Sequence, residues 1–290
     1  MTRSAGLRFR QALAKAKPLQ IVGTTNAYFA LMAEQSGVQA LYLSGAGVAN
    51  ASYGLPDLGM TSMNDVLIDA GRITSATELP LLVDIDTGWG GASTLPAPSR
   101  NLKRPVLPPC IWKIRCHRNA VVTDPTRPWS APKRWLTVSR LPWMPAQMRT
   151  SSSWLAQTRL RGRLDAGIER AQAYIEAGAD MIFAEALTEL DQYRRFKAAV
   201  NAPILANMTE FGKTELFNKE QLAEAGADMV LYPLSTFRAA NLAALKVMQA
   251  LMADGHQRNV VDTMQTREEL YKFLGYHHYE TKLDELFSQK

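Results

Sequence analysis

Short apolar runs alternate with amphipathic stretches along most of this chain. Leu19 to Gly23 is an apolar run closed by glycine, and Asn26 to Gly37 reads as a helix after it. Ala40 to Ser44 is a second strand, stopped by Gly45-Ala46-Gly47. Asn64 opens a helix to about Ser75 as a plausible N-cap, and Leu81 to Asp86 is a third strand. Much further on, Asp165 to Gly178 is an amphipathic helix ending on glycine, a favourable C-cap. Strands are then expected over Asp180 to Phe183, Pro203 to Ala206 and Asp228 to Tyr232. Helices are expected over Leu187 to Val200, Lys219 to Ala225 and Thr236 to Ala253, with two more near Thr266 to Leu274 and Tyr279 to Phe287.

Apolar strands separated by helices mean βα units and a parallel sheet. Six such strands flank a gap of about 70 residues, the length of two more βα units of ~30 residues each. Eight strands is the count of a (β/α)8 TIM barrel, whose usual size is ~250 residues. The alternative, a doubly wound sheet, lacks its G-x-G-x-x-G signature here. The pattern thus predicts an α/β barrel spanning residues 1–290, with residues ~256–290 as an extra C-terminal helical extension.

Composition changes the picture for residues 93–163. That segment holds 10 of the 15 Pro, 5 of the 6 Trp and both Cys. It carries 14 Lys+Arg against Asp124 alone, so the chain outside it is net −7 although the whole is +6. A basic chain usually points to nucleic acid or an anionic surface. Here the excess is local, and a nucleic-acid partner is not expected. No run approaches the ~18 apolar residues of a membrane helix. The N-terminus shows no apolar core or cleavage site of a secretory signal, and two Cys make no disulfide framework. A cytoplasmic protein is the expectation. Ten prolines also argue that strands 4 and 5 are lost or disordered.

In a barrel of this kind chemistry sits at the C-terminal ends of the strands, and polar residues recur there. Asp84 and Asp86 share a strand face about 7 Å apart. That spacing suits Mg²⁺, which takes hard oxygen ligands and keeps several waters. For an isolated D-x-D, a helix cap plus a salt bridge is the better explanation, because loop aspartates are common. The amides of Ser44-Gly45-Ala46-Gly47 could cradle a carboxylate or form an ordinary turn. Asp57 lies in a loop stiffened by Pro56, Gly54 and Gly59. Glu185 follows the strand at Asp180, Asn207-Met208-Thr209 follows the strand at Pro203, and Arg238 lies past the strand at Asp228. Arg267 offers a further cation. Singly these are caps; together they describe a mouth for an anionic, oxygen-rich ligand bridged by a metal.

Five segments carry a resemblance: Tyr42-Leu43-Ser44-Gly45, Gly54-Leu55-Pro56-Asp57, Leu82 to Gly88, Ile204 to Gly212, and Met264-Gln265-Thr266-Arg267. Over residues 6–92 and 164–287 the chain resembles the 2-methylisocitrate lyases of the isocitrate lyase/phosphoenolpyruvate mutase superfamily. The resemblance implies retro-aldol-type cleavage of a tricarboxylate, 2-methylisocitrate, to pyruvate and succinate in propionate catabolism by the methylcitrate route. It implies Mg²⁺ on Asp84 and Asp86, and a pyruvyl end held by Ser44, Gly45 and Ala46, where the family commonly has another glycine. Glu185, Asn207, Met208, Thr209, Arg238 and Arg267 are the implied ligand-binding residues, with Asp57 as a catalytic residue. The C-terminal helices resemble those exchanged between subunits, which implies a homotetramer.

Two family motifs are absent: K-R-C-G-H after strand four and M-A-R-T-D after strand five. Shifted reading of the codons explains this. Taking the third base of each codon with the first two of the next, residues 150–161 can encode F-V-I-M-A-R-T-D-A-L-A, and residues 113–127 permit K-R-C-G-H-R-P-N-K. Trp112 and Trp154, with one codon each, both fit. Two compensating frameshifts are inferred, one near Ala92 and one near residues 161–163. The family's acid cysteine then falls across Ala120 and Val121, and neither Cys110 nor Cys116 replaces it. The expectation is impaired turnover. The competing readings are another lyase or decarboxylase of the superfamily acting on a 2-oxo or 2-hydroxy acid, a nucleic-acid-binding protein, and a pseudogene product.

Overall fold

A computed structural model describes residues 5–85, 111–115, 154–159, 164–176 and 178–288, the two short central stretches as backbone. Eight parallel strands close into a barrel in sequence order. They are β1 Leu19–Gly23, β2 Ala40–Leu43, β3 Leu81–Asp84, β4 Ile111–Arg115, β5 Trp154–Arg159, β6 Met181–Glu185, β7 Ile204–Asn207 and β8 Met229–Tyr232. Pairing of β1 with β8, Leu19 opposite Met229, completes the ring.

The loss of strands 4 and 5 expected above is corrected. β4 pairs with β3, Leu82 opposite Ile111, and β5 pairs with β6, Leu155 opposite Met181. The prolines that argued against strands all fall outside the two ladders, which contain none. Ladder bonds join backbone to backbone, so a proline-free run rich in Ile, Trp and Thr satisfies the open edges of β3 and β6.

Among the described residues the helices include α1 Ala5–Lys15, α2 Ala27–Gln35, α3 Met63–Ala76, α4 Leu164–Glu176, α5 Leu190–Ala199, α6 Lys219–Glu224 and α7 Ser235–Asp254. Helix α3 is capped by Ser62, which accepts from the Asp65 amide while Asp65 returns to the Ser62 amide. The cap therefore lies two residues before the expected Asn64, because a reciprocal capping box satisfies two end amides where a lone Asn satisfies one.

Side-chain alternation divides the core. Leu19, Ile21, Ala40, Tyr42, Leu82, Met181, Phe183, Leu205, Met229 and Leu231 fill the barrel, and Phe9 of α1 joins them below β1. Residues of opposite phase, such as Leu41, Leu43, Leu81 and Val83, pack outward under α2 and α3. Ile182, Ile204, Ala206 and Val230 pack outward with Tyr193, Phe196 and Leu222 of α5 and α6. At the N-terminal end, Lys197 Nζ donates to Asp228 Oδ2 at 2.7 Å, and the Ile204 amide donates to the same oxygen at 2.9 Å.

The C-terminal elements behave differently. Helix α7 runs 20 residues with none buried, leaving Leu242, Leu245, Met248 and Met252 exposed. Helix α8, Arg267–Leu274, docks on α2 through an edge-to-face contact of Tyr28 and Phe273 at 6.2 Å. Helix α9, Tyr276–Ser288, exposes Leu283, Leu286 and Phe287. No helix of the described residues is long and apolar enough to cross a membrane.

Candidate active site

Counting up each strand in the inward phase leads to a polar ring at the C-terminal mouth. Beyond Leu82 comes Asp84, beyond Phe183 comes Glu185, and beyond Leu205 comes Asn207. Asp84 is only 4% exposed, and the Tyr42 hydroxyl donates to its Oδ2 at 2.8 Å. A buried carboxylate is costly without partners, so this one is held for a reason. Glu185 ends β6 half-buried, and the next residue, Ala186, takes φ 69. Left-handed backbone at a residue bearing a β-carbon stores strain of the kind that collects at active sites. Thr209 donates through Oγ1 to Asn207 Oδ1 at 3.2 Å, joining two of the expected ligand residues.

The loops after β1, β2 and β8 are wedged together. A β-carbon on Gly23 would sit 1.8 Å from the Pro233 carbonyl oxygen, and Thr236 donates to the Gly23 carbonyl at 2.8 Å. At Gly47 the neighbours would be Ser44, Leu234 and Thr25, all within 3.6 Å. Ser44 and Gly45 are buried and Ala46 half-buried, in a helical turn Gly45–Gly47 that starts at the top of β2. The amide end of that turn, rising from the barrel rim, is where an anion gains most from backbone N–H groups.

Arg238 stands in the first turn of α7, above β8. Its Nη1 donates to Glu210 Oε2 at 2.7 Å and to the Glu210 carbonyl at 3.0 Å. Burial pushes the Glu210 carboxyl up, but the Ser235 hydroxyl, its own amide and the Arg238 guanidinium outweigh that and hold it below the usual carboxylate range.

Other expected residues stand apart. Met208 is 2% exposed, and its side chain packs in the apolar layer under α5 and α6. It was grouped with Asn207 and Thr209 by position, yet neighbours on an extended chain face opposite ways. Asp57 is exposed in a loop whose Gly54 and Gly59 take φ 63 and 70. Arg267 is exposed at the start of α8, while Gln265, two residues before it, accepts from Tyr28 at 2.6 Å. Asp86 and the segment expected to carry the acid cysteine lie outside the described residues. Among the described residues no group of three or more His, Cys, Asp or Glu is placed to hold a metal. Tyr42 is the residue the sequence reading left without a role. Its signal was parity, since it sits two residues before Ser44, on the barrel-filling face of β2.

A closed parallel barrel with a carboxylate, an amide, an arginine and backbone donors at its C-terminal rim defines a TIM-barrel enzyme. The family model for phosphoenolpyruvate phosphomutase matches residues 9–101 and 147–252. The 2-methylisocitrate lyase of Shewanella oneidensis is 68% identical over 293 residues, covering 100% of this chain and 99% of its own. That of Escherichia coli strain K12 is 47% identical, covering 99% of this chain and 97% of its own. Among solved structures, 2,3-dimethylmalate lyase is similar at TM-score 0.78 and 26% identity, covering 98% of both chains. Phosphonopyruvate hydrolase in complex with oxalate and Mg²⁺ shares the fold at TM-score 0.73 and 22% identity, covering 96% of this chain and 97% of its own. The chain belongs to the phosphoenolpyruvate phosphomutase family and, within it, to the 2-methylisocitrate lyases.

Proposed function

We propose that this chain is a carbon–carbon lyase of a single barrel domain that cleaves 2-methylisocitrate to pyruvate and succinate. The observation that carries the reading is the buried Asp84, held by Tyr42 at the barrel mouth, in a chain 68% identical to a 2-methylisocitrate lyase.

The residues fit Mg²⁺. This ion commonly binds through one or two carboxylates and keeps several waters, so it needs no cluster of three protein ligands. Asp84 supplies a buried hard-oxygen ligand, and Asp86 would supply the second. When bound, Mg²⁺ lowers the pKa of the substrate hydroxyl and offsets charge on the oxygen of the nascent pyruvate. Tyr42 fixes one oxygen of Asp84 and so sets the direction of the other. Ser44, Gly45 and Ala46 hold the pyruvyl carboxylate with backbone N–H groups. Cleavage of the C–C bond leaves negative charge on the succinate half. Arg238 and the Asn207 amide, whose oxygen is held by the Thr209 hydroxyl, meet that charge from the β7 and β8 side, where donors aimed in advance lower the barrier most. Glu185 orients ligand or water from β6. Arg267 and Asp57 join the site only if the segments after β2 and before α8 fold over the mouth.

The family's acid cysteine has no counterpart in this chain, so the last proton transfer, to the succinate carbanion, lacks its donor. Cytoplasmic residence agrees with two cysteines and no need for an oxidising compartment. The exposed apolar faces of α7 and α9 support a homotetramer. The test is release of pyruvate from purified protein given 2-methylisocitrate. Slow release, abolished by chelation of Mg²⁺ and absent with isocitrate, supports the assignment. Equal turnover of isocitrate or of a 2-oxo acid would move the chain to another branch of the superfamily.

A further inference from the structure

Three side chains around Arg238 have no part in the reading above. Glu210, in the loop after β7, is about three-quarters buried at its side chain, 26% exposed. One of its carboxylate oxygens takes the Arg238 Nη1 at 2.7 Å, and the Ser235 hydroxyl donates to the other. The same Nη1 also donates to the Glu210 carbonyl at 3.0 Å. Both carboxylate oxygens are thus engaged, and one corner of the guanidinium is fixed by two acceptors of one residue. The remaining nitrogens, Nη2 and Nε, make no hydrogen bond among the described residues.

Phe211 adds a third restraint. It is 96% exposed and takes φ 62. A bulky side chain pays steric energy for that conformation and gains almost nothing from burial. Its ring centroid lies 5.7 Å from Arg238 Cζ, within reach of a cation–π contact. Carboxylate and carbonyl hold the Nη1 corner and the ring lies over the guanidinium, while Nη2 and Nε stay uncommitted among the described residues.

We propose that Glu210 is a positioning residue which, locked by Ser235, clamps the Nη1 corner of Arg238 so that the opposite edge is held for a ligand carboxylate. This rests on Arg238 being a carboxylate-binding residue as read above. An unrestrained arginine loses its rotamer freedom when it binds an anion, and an arginine fixed beforehand has already lost it. The clamp has an opposing effect, because a second carboxylate beside the site repels an anionic ligand. Geometry and charge can be separated. Glutamine keeps an acceptor for Arg238, can donate to Ser235, and carries no charge.

The experiment is titration of the full chain with sodium succinate in the presence of Mg²⁺, followed by ligand-observed NMR, alongside thermal melting of each variant. Glu210→Gln is expected to bind within about threefold of the unaltered protein, and Glu210→Ala about tenfold more weakly. Ser235→Ala, which leaves the ion pair in place, is expected to weaken binding by about threefold and serves if the Glu210→Ala protein does not fold. Rescue by Gln but not Ala marks positioning. A purely structural role would lower the melting temperature and leave succinate affinity untouched, and that result overturns the proposal. So does wild-type affinity in Ser235→Ala. Arg238→Ala separates the two claims. If succinate binds equally well without Arg238, the underlying reading of the site fails. If Arg238→Ala loses succinate while Glu210→Ala keeps it, the clamp alone fails.

Discussion

Asp84 shows what one buried carboxylate can decide. At 4% exposure it needs hydrogen-bond partners, and the Tyr42 hydroxyl donates to it at 2.8 Å. Removing that hydroxyl takes away a hydrogen bond that orients the carboxylate toward the direction a metal requires. Tyr42→Phe should therefore weaken Mg²⁺ binding by about tenfold, the usual cost of losing a group that orients a ligand. Asp84→Asn should abolish measurable binding. Manganese titration followed by electron paramagnetic resonance reads both. Equal affinities in Tyr42→Phe and the unaltered protein would remove Tyr42 from the site. The places of Asp84, Glu185 and Asn207 at the strand ends were legible in sequence because each ends an apolar run in the inward phase. Tyr42 was not, because a tyrosine within an apolar strand looks like core. The Arg238–Glu210 pair was invisible for another reason, being 28 residues apart, one in the loop after β7 and one in the first turn of α7, which no local pattern links.

Among the elements, the six flanking strands were readable from their apolar runs because both faces of a parallel barrel strand are covered. β4 and β5 were misjudged because the composition of 71 residues was weighed as one block, whereas a strand needs only five or six free of proline. Strand ends also sort by role. Asp228, just before β8, accepts from Lys197 at 2.7 Å and from the Ile204 amide at 2.9 Å. It lies at the opposite end of the barrel from Asp84, where polar residues serve the fold and not the chemistry. Asp228→Asn should cost about 1–3 kcal/mol of stability by weakening a charged partner for both donors. Urea unfolding measures that cost, and Mg²⁺ affinity should stay unchanged. A loss of metal binding in this variant would mean that the two ends are coupled.

At the scale of the molecule, the family model matches on both sides of residues 102–146 and leaves that stretch out. It spans Cys110, Cys116 and the Ala120–Val121 position where the shifted frame places K-R-C-G-H. Meanwhile β4 and β5 occupy their places in the ring. Backbone pairing tolerates a change of side chains, whereas proton transfer from a particular thiol would not, so scaffold and chemistry can be tested separately in this chain. The inferred frameshifts make a quantitative prediction. Restoring the frame between Ala92 and residues 161–163 replaces the segment with the family's sequence and returns the acid cysteine. General acid catalysis by one positioned group contributes about 10²–10⁴ in rate. The restored protein should release pyruvate from 2-methylisocitrate at least ~10² faster than the chain as it stands. Putting Ala in place of the returned cysteine should then cancel most of the gain while leaving the melting temperature high. The cysteine variant separates chemistry from folding, since a repaired fold alone would keep the rate up without the thiol. Comparable turnover by the unrestored and restored chains would show that residues 93–163 are a working part of this enzyme, with an acid of their own.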